Sequence, residues 1–219
     1  MAYTFDNLSM TPLYGVSHYA VRGFYEAFFR GEVVGTDNLP RTGPFIVAAN
    51  HVSYLDPPFI GCQVPRQLRP FARRTLWAGG IVNWWLDGVG CIPVDRGSAD
   101  VGAIRRVMQA LDENLGLILF PEGTRSPTGQ MQRPKSGVGL IACRTSVPVV
   151  PCRIFGAYEA CRKGRILPRL GTSVSVVFGS PLLPAHFDDP AAGKDRYELA
   201  AERIMQGIAA LLPPEYAVI

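Results

Sequence analysis

PFIVAANHVSYLDPP, residues 44–58, opens on a proline and five consecutive apolar residues and closes on two further prolines. An uninterrupted apolar run, rather than an alternating one, marks a strand buried on both faces, as in the middle of a parallel sheet. Similar runs recur along the chain, separated by stretches with helical periodicity. The spacing predicts strands over 44–50, 68–72, 90–94, 116–120, 147–151 and 172–179. Helices are predicted over 58–63, 75–87, 100–113, 136–145 and 195–212, with a proline-rich surface loop over 181–190. This alternation predicts an α/β fold: a single domain with a mostly parallel central sheet flanked by helices, plus an N-terminal amphipathic helix. The division is residues 1–31 for that helix and its lead-in, and 32–219 for the domain.

Over residues 11–31, Leu13, Val16, Ala20, Gly23, Phe24 and Ala27 recur at a period near 3.6, while Arg22, Glu26 and Arg30 occupy another side. Tyr14, Tyr19, Tyr25 and Phe29 widen the apolar face. Such a helix suits either a bilayer interface or packing on its own domain. With 219 residues, 47% hydrophobic content and a net charge of +4, the chain is long and apolar enough for an ample core. The mild basicity suits an anionic small molecule or an anionic bilayer surface, and is too weak and dispersed to argue for nucleic acid. Cys62, Cys91, Cys143, Cys152 and Cys161 form no C-x-x-C pair and read as buried thiols of a reducing compartment. No basic segment followed by an apolar run suggests a signal peptide, and no apolar window has the ~18 residues of a spanning helix.

His51 and Asp56 pose the chemical question. Positions five apart on a continuous helix diverge by about 140°, so the two meet only if the chain turns between them. Pro57 and Pro58 favour such a turn and place Asp56 just outside a helix start. The two prolines also remove backbone donors that a capping aspartate would take, leaving its carboxylate free for His51. A carboxylate on one ring nitrogen fixes the tautomer and makes the other a better general base. A core histidine beside a capping aspartate is the alternative. Further on, GLILFPEGTRS, residues 116–126, runs a strand into a polar loop holding Glu122, Gly123, Thr124 and Arg125. Open α/β sheets bind ligands at such strand ends, and an arginine fork beside a hydroxyl suits phosphate. Arg96 ends GCIPVDR, residues 90–96, and Lys135 precedes another helix.

Taken in order, NHVSYLDPP, GCIPVDR, FPEGTRS and VPVVPC strongly resemble the four sequence blocks of the glycerolipid acyltransferase family, over roughly residues 33–180. The resemblance implies that His51 and Asp56 form the catalytic dyad. It also implies that Arg96, Glu122, Gly123, Thr124 and Arg125, with Lys135 nearby, hold the glycerol phosphate of the acceptor. The implied reaction moves a fatty acyl group from an acyl-CoA or acyl carrier protein thioester to the free hydroxyl of 1-acylglycerol-3-phosphate, giving phosphatidic acid. A related acceptor, another lysophospholipid or an amino-acid lipid, is the alternative. No bound cofactor or metal is expected, and the expected place of work is the cytoplasmic face of a membrane, with the protein peripheral or monotopic. Two departures stand out: Pro134 replaces the usual aromatic before the lysine, and only one N-terminal helix is evident.

The chain contains no G-x-S-x-G, so no serine-hydrolase elbow is present. His18 and His186 have no ligand-like neighbours. The segment LWAGGIVNWWL, residues 76–86, suits an acyl groove, a lipid-facing surface or ordinary core. Two basic clusters, Arg66, Arg69, Arg73 and Arg74, and Arg162, Lys163, Arg165 and Arg169, suit anionic headgroups, an acidic carrier protein, or simple solvation.

Overall fold

The apolar run after Pro44 forms a strand, β2 (Phe45–Ala49), every residue of which is withdrawn from solvent. The structure, a computed structural model, describes residues 10–94, 101–165 and 167–214. Around β2 lie β1 (Val33–Val34), β3 (Leu68–Arg73), β4 (Ile92–Val94), β5 (Gly116–Leu119), β6 (Val149–Phe155) and β7 (Ser175–Phe178). Their order across the sheet is β1-β7-β6-β2-β5-β3-β4. Only the β6–β7 pairing is antiparallel among these. The fold is therefore a single α/β domain around a mostly parallel sheet, with the N-terminal helix present.

The helices are α1 (Pro12–Phe28), α2 (Asp56–Gly61), α3 (Gly80–Gly88), α4 (Val101–Asp112), α5 (Ser136–Thr145), α6 (Ala157–Cys161), α7 (Pro184–Phe187) and α8 (Arg196–Ala209). Successive side chains of β2 point to opposite faces of the sheet, so each face has its own core. Phe45, Val47 and Ala49 join Phe59 and Ile60 of α2 and Tyr25 of α1 on one side. Ile46 and Ala48 join α4, α5 and α8 on the other, through Val107, Ala142, Ile204 and Ile208. Each fully buried valine, isoleucine or phenylalanine among these contributes about 1.5–3 kcal/mol.

Three expectations need correction. The 75–87 helix is divided into a 3₁₀ turn (Arg74–Leu76) and α3, because Gly79 and Gly80 take φ values of +108° and +57°. The 181–190 stretch is not wholly a surface loop, since Phe187 of α7 is fully buried in the second core. The basic group at 66–74 is dispersed. Arg66 donates to the carbonyls of Pro40, Gly43 and Asn114, and Arg69 pairs with Glu113 at 3.2 Å.

Of the two alternatives left open for α1, each takes a part of its surface: Tyr14, His18 and Tyr25, continued by Phe29, face the domain, while the row Val16, Ala20, Phe24 and Ala27 is exposed. Tyrosines can be buried there because their hydroxyls find backbone partners. The Tyr14 hydroxyl accepts from the Leu68 N–H at 3.1 Å, and the Tyr25 hydroxyl donates to the Val174 carbonyl. Burial pushes the Tyr14 phenol up to about 12. The 76–86 segment is likewise mostly outside the core: Ile81 is 77% and Trp84 61% exposed, and only Leu86 is buried within α3. The Trp85 indole N–H donates to Ser17 of α1 at 3.0 Å, tying the two helices together.

Candidate active site

At the C-terminal end of β2 the chain is clamped before it turns. The Asn50 side chain takes both backbone groups of Ile154 on β6, donating at 3.1 Å and accepting at 2.8 Å. His51 follows at once, half-buried, its ring stacked on Phe120 with centroids 4.1 Å apart. The turn expected between His51 and Asp56 is present, and His51 Nδ1 meets Asp56 Oδ2 at 2.8 Å. With Nδ1 so engaged, Nε2 is the nitrogen left for a substrate proton.

Asp56 differs from expectation in one respect. It is the first residue of α2 and is not released from backbone donors. Its Oδ2 accepts the N–H groups of Val52 and Ser53 at 2.6 and 2.7 Å, along with His51. These donors come from the turn before the helix, so the prolines do not remove them. Asp56 is fully buried, and burial pushes its carboxyl above the ordinary value, against the lowering effect of His51 and the two N–H groups. The carboxylate thus organises the turn and orients the imidazole together.

The 121–135 loop folds back over this turn. The Ser126 N–H donates to the His51 carbonyl at 2.7 Å. Glu122 is only 1% exposed, and its Oε1 accepts the His51 N–H at 2.8 Å. Its Oε2 accepts the backbone N–H and the side-chain amide of Gln132 at 3.2 and 3.1 Å. Among the contacts described, Glu122 therefore holds protein backbone. Gln132 was not singled out in the sequence, because a lone glutamine ten residues away signals nothing until the loop closes.

Thr124 and Arg125 are half-buried beside this clamp. The Arg125 guanidinium stacks 3.3 Å from the centroid of Tyr54, a second residue that sequence reasoning missed. Its Nη1 is buried without a hydrogen-bond partner among the described residues. Gly123 is exposed with φ +65°, and the Lys135 side chain crosses directly above it. A Cβ there would lie 3.1 Å from Lys135 Cδ and 3.5 Å from Nζ, so glycine permits both the turn and the approach of the amine. Arg96 lies outside the described residues.

A cavity of about 390 Å³ is lined in part by Asn50, Val52, Met131, Arg153 and Tyr158, and His51 itself is not in its lining. The other histidines are engaged elsewhere. His18 is buried against α2, and His186 Nδ1 accepts the Leu183 N–H at 2.9 Å. Burial pushes the thiols of Cys62 and Cys91 up to about 12 and that of Cys143 to about 11, so they stay protonated and poorly nucleophilic. Among the described residues, no group of three metal-ligating side chains is assembled.

The family model described as Acyltransferase matches residues 30–155. The 1-acyl-sn-glycerol-3-phosphate acyltransferase alpha of Bos taurus is 33% identical over 174 residues, covering 76% of this chain and 60% of that protein. The 1-acyl-sn-glycerol-3-phosphate acyltransferase of Bacillus subtilis (strain 168) is 28% identical over 181 residues, covering 82% of this chain and 87% of that one. A chloroplastic relative from Brassica napus with the same activity in its name is 28% identical, over 64% of this chain and 40% of its own length. The chain thus spans between 40% and 60% of the plant and bovine relatives it matches. Among solved structures, the 1-acyl-sn-glycerophosphate (LPA) acyltransferase PlsC from Thermotoga maritima aligns with a TM-score of 0.74 at 28% identity, covering 92% of this chain and 81% of that one.

Proposed function

The chain belongs to the acyltransferase family, and on that premise we propose that it transfers a fatty acyl group to the free hydroxyl of 1-acylglycerol-3-phosphate, forming phosphatidic acid. The observation that carries the reading is the His51–Asp56 pair at the end of the central strand, facing the loop of Arg125 and Lys135. His51 Nε2 takes the proton of the acceptor hydroxyl as that oxygen attacks the thioester carbonyl. The carbon–sulfur bond then breaks, and the imidazolium returns the proton to the departing thiolate. Asp56 stabilises the imidazolium in between. Arg125 and Lys135 hold the acceptor phosphate, with Thr124 and, from the family resemblance, Arg96. Fixing the hydroxyl at the base in this way is worth roughly 7–11 kcal/mol of barrier at best.

The donor in this reading is a thioester of coenzyme A or acyl carrier protein, with no bound cofactor. Residues 1–31 form a membrane-associating segment and residues 32–219 the acyltransferase domain, working peripherally at the cytoplasmic face. Support for membrane attachment comes from the outward row of α1 and from the exposed Ile81 and Trp84 of α3, a helix tied to α1 through Trp85 and Ser17. None of the described helices is long and apolar enough to cross a bilayer. The test is phosphatidic acid formation from lysophosphatidic acid with either thioester donor. Product supports the reading. Failure with both donors, while another lysolipid or an amino-acid lipid is acylated, would reassign the acceptor.

The clamp on His51 gives a second measurement. Gln132→Ala removes one of three donors from a buried carboxylate, and burial already pushes Glu122 above its ordinary value. The expected result is a kcat lowered about tenfold, roughly the 1.4 kcal/mol of one hydrogen bond to a charged group, with KM for lysophosphatidic acid little changed. A selective rise in KM instead would make Gln132 a substrate contact.

A further inference from the structure

The second basic cluster survives folding as a cluster. Residues 162–165 and 167–170 contain Arg162, Lys163, Arg165 and Arg169 and no acid, and all four cations are exposed. Among the described residues none of the four forms an ion pair. Two apolar side chains stand exposed in the same stretch, Leu167 at 77% between Arg165 and Arg169, and Leu170 at 52% directly after Arg169. Cations interleaved with outward leucines are unsuited to plain solvation and suited to a charged interface with an apolar interior.

The position of this segment matters more than its composition. One end adjoins α1: the Gly171 N–H donates to the Phe28 carbonyl at 2.7 Å, and the Arg30 N–H to the Thr172 carbonyl at 3.0 Å. Phe28, exposed on α1 with the Phe24 ring against it, is thereby joined through its carbonyl to the residue that follows Leu170. The other end adjoins the active-site turn, where the Ser53 hydroxyl donates to the Cys161 carbonyl at 2.7 Å, one residue before Arg162. The segment is a strap between the apolar helix and the turn that carries His51.

We propose that this strap docks on the surface of an anionic lipid bilayer, so that α1 and the strap together hold the His51 turn at the headgroup layer. The proposal rests on the reading that the protein acts at a membrane, and adds which lipids attract it and through which residues. Each cation near such a surface raises affinity about fivefold, so removing two should lower it about 25-fold. The effect is screened by salt.

The experiment is partition of the full chain into phosphatidylcholine vesicles and into matched vesicles containing phosphatidylglycerol, without substrate. Wild type should prefer the anionic vesicles, and added salt should erase most of the preference. Arg162→Ser with Lys163→Ser should lose about 25-fold on anionic vesicles and little on neutral ones. Arg41→Ser with Lys194→Ser removes the same charge from exposed positions elsewhere and should lose much less. Leu167→Ser with Leu170→Ser should weaken both vesicle types. Equal losses in the two charge pairs, or no anionic preference in wild type, would overturn the proposal. So would unchanged vesicle binding accompanied by slower transfer from acyl carrier protein alone, which would make the strap a protein-docking surface. Since partition is read without turnover, a wild type inactive on lysophosphatidic acid would sink the functional reading and leave this measurement standing.

Discussion

His51→Ala should lower kcat for acyl transfer by about 10²–10⁴-fold while leaving a folded protein, because a positioned general base contributes on that scale. The geometry separates the chemical loss from a structural one. Asp56 Oδ2 keeps its Val52 and Ser53 donors when the imidazole is removed, so the turn stays tied. The ring is half-buried and lies against Phe120 on one face, so truncation leaves a shallow gap at the surface and not a hole in the core. The thermal midpoint should move by a few degrees at most. KM for the acceptor should change little, since the phosphate is assigned to Arg125 and Lys135. Activity within threefold of wild type would remove His51 as the base, and the mechanism with it.

Asp56 should respond differently to two substitutions. Asp56→Ala strands the buried N–H groups of Val52 and Ser53, each at about 1–3 kcal/mol, and should destabilise the protein by about 2–6 kcal/mol besides abolishing transfer. Asp56→Asn keeps an oxygen for those donors and should fold. It loses the charge that stabilises the imidazolium, so kcat should still fall by about 10²–10⁴-fold. Denaturant titration beside the transfer assay distinguishes the pair. Equal stability in the two variants would show that the carboxylate does not hold the turn. Burial raises the folded-state pKa of Asp56 above its ordinary 3.8, so its contribution to stability is full below that value and is lost as pH rises through the folded pKa. Asn cannot ionise, and the stability of Asp56→Asn relative to wild type should therefore improve from acid to neutral pH. The opposite trend would mean that the three donors outweigh burial.

The buried strands and the His51–Asp56 pair were legible in sequence because the signal for each is local. Five consecutive apolar residues can be satisfied only between two faces, and β2 lies there with both neighbours parallel. His51 and Asp56 are separated by a single turn, so proline chemistry and spacing sufficed to bring them together, although the backbone donors that Asp56 also takes were misjudged. The ordered blocks likewise marked the loop of Glu122 to Arg125 before its shape was known.

Tertiary structure alone decided the rest. A periodic pattern says that α1 has apolar stripes, and this helix has two. The inner one is the tyrosine row, because Leu68 and Val174 offer backbone partners to its hydroxyls, and those residues lie far away in sequence. Gln132 meets Glu122, and Tyr54 meets Arg125, only through the way the 121–135 loop folds over the turn. The same holds for the strap at Arg162, whose meaning comes from standing between Phe28 and Ser53. Composition fixes which groups can bury, pair or titrate; only long-range contact decides which of several adequate partners each one meets.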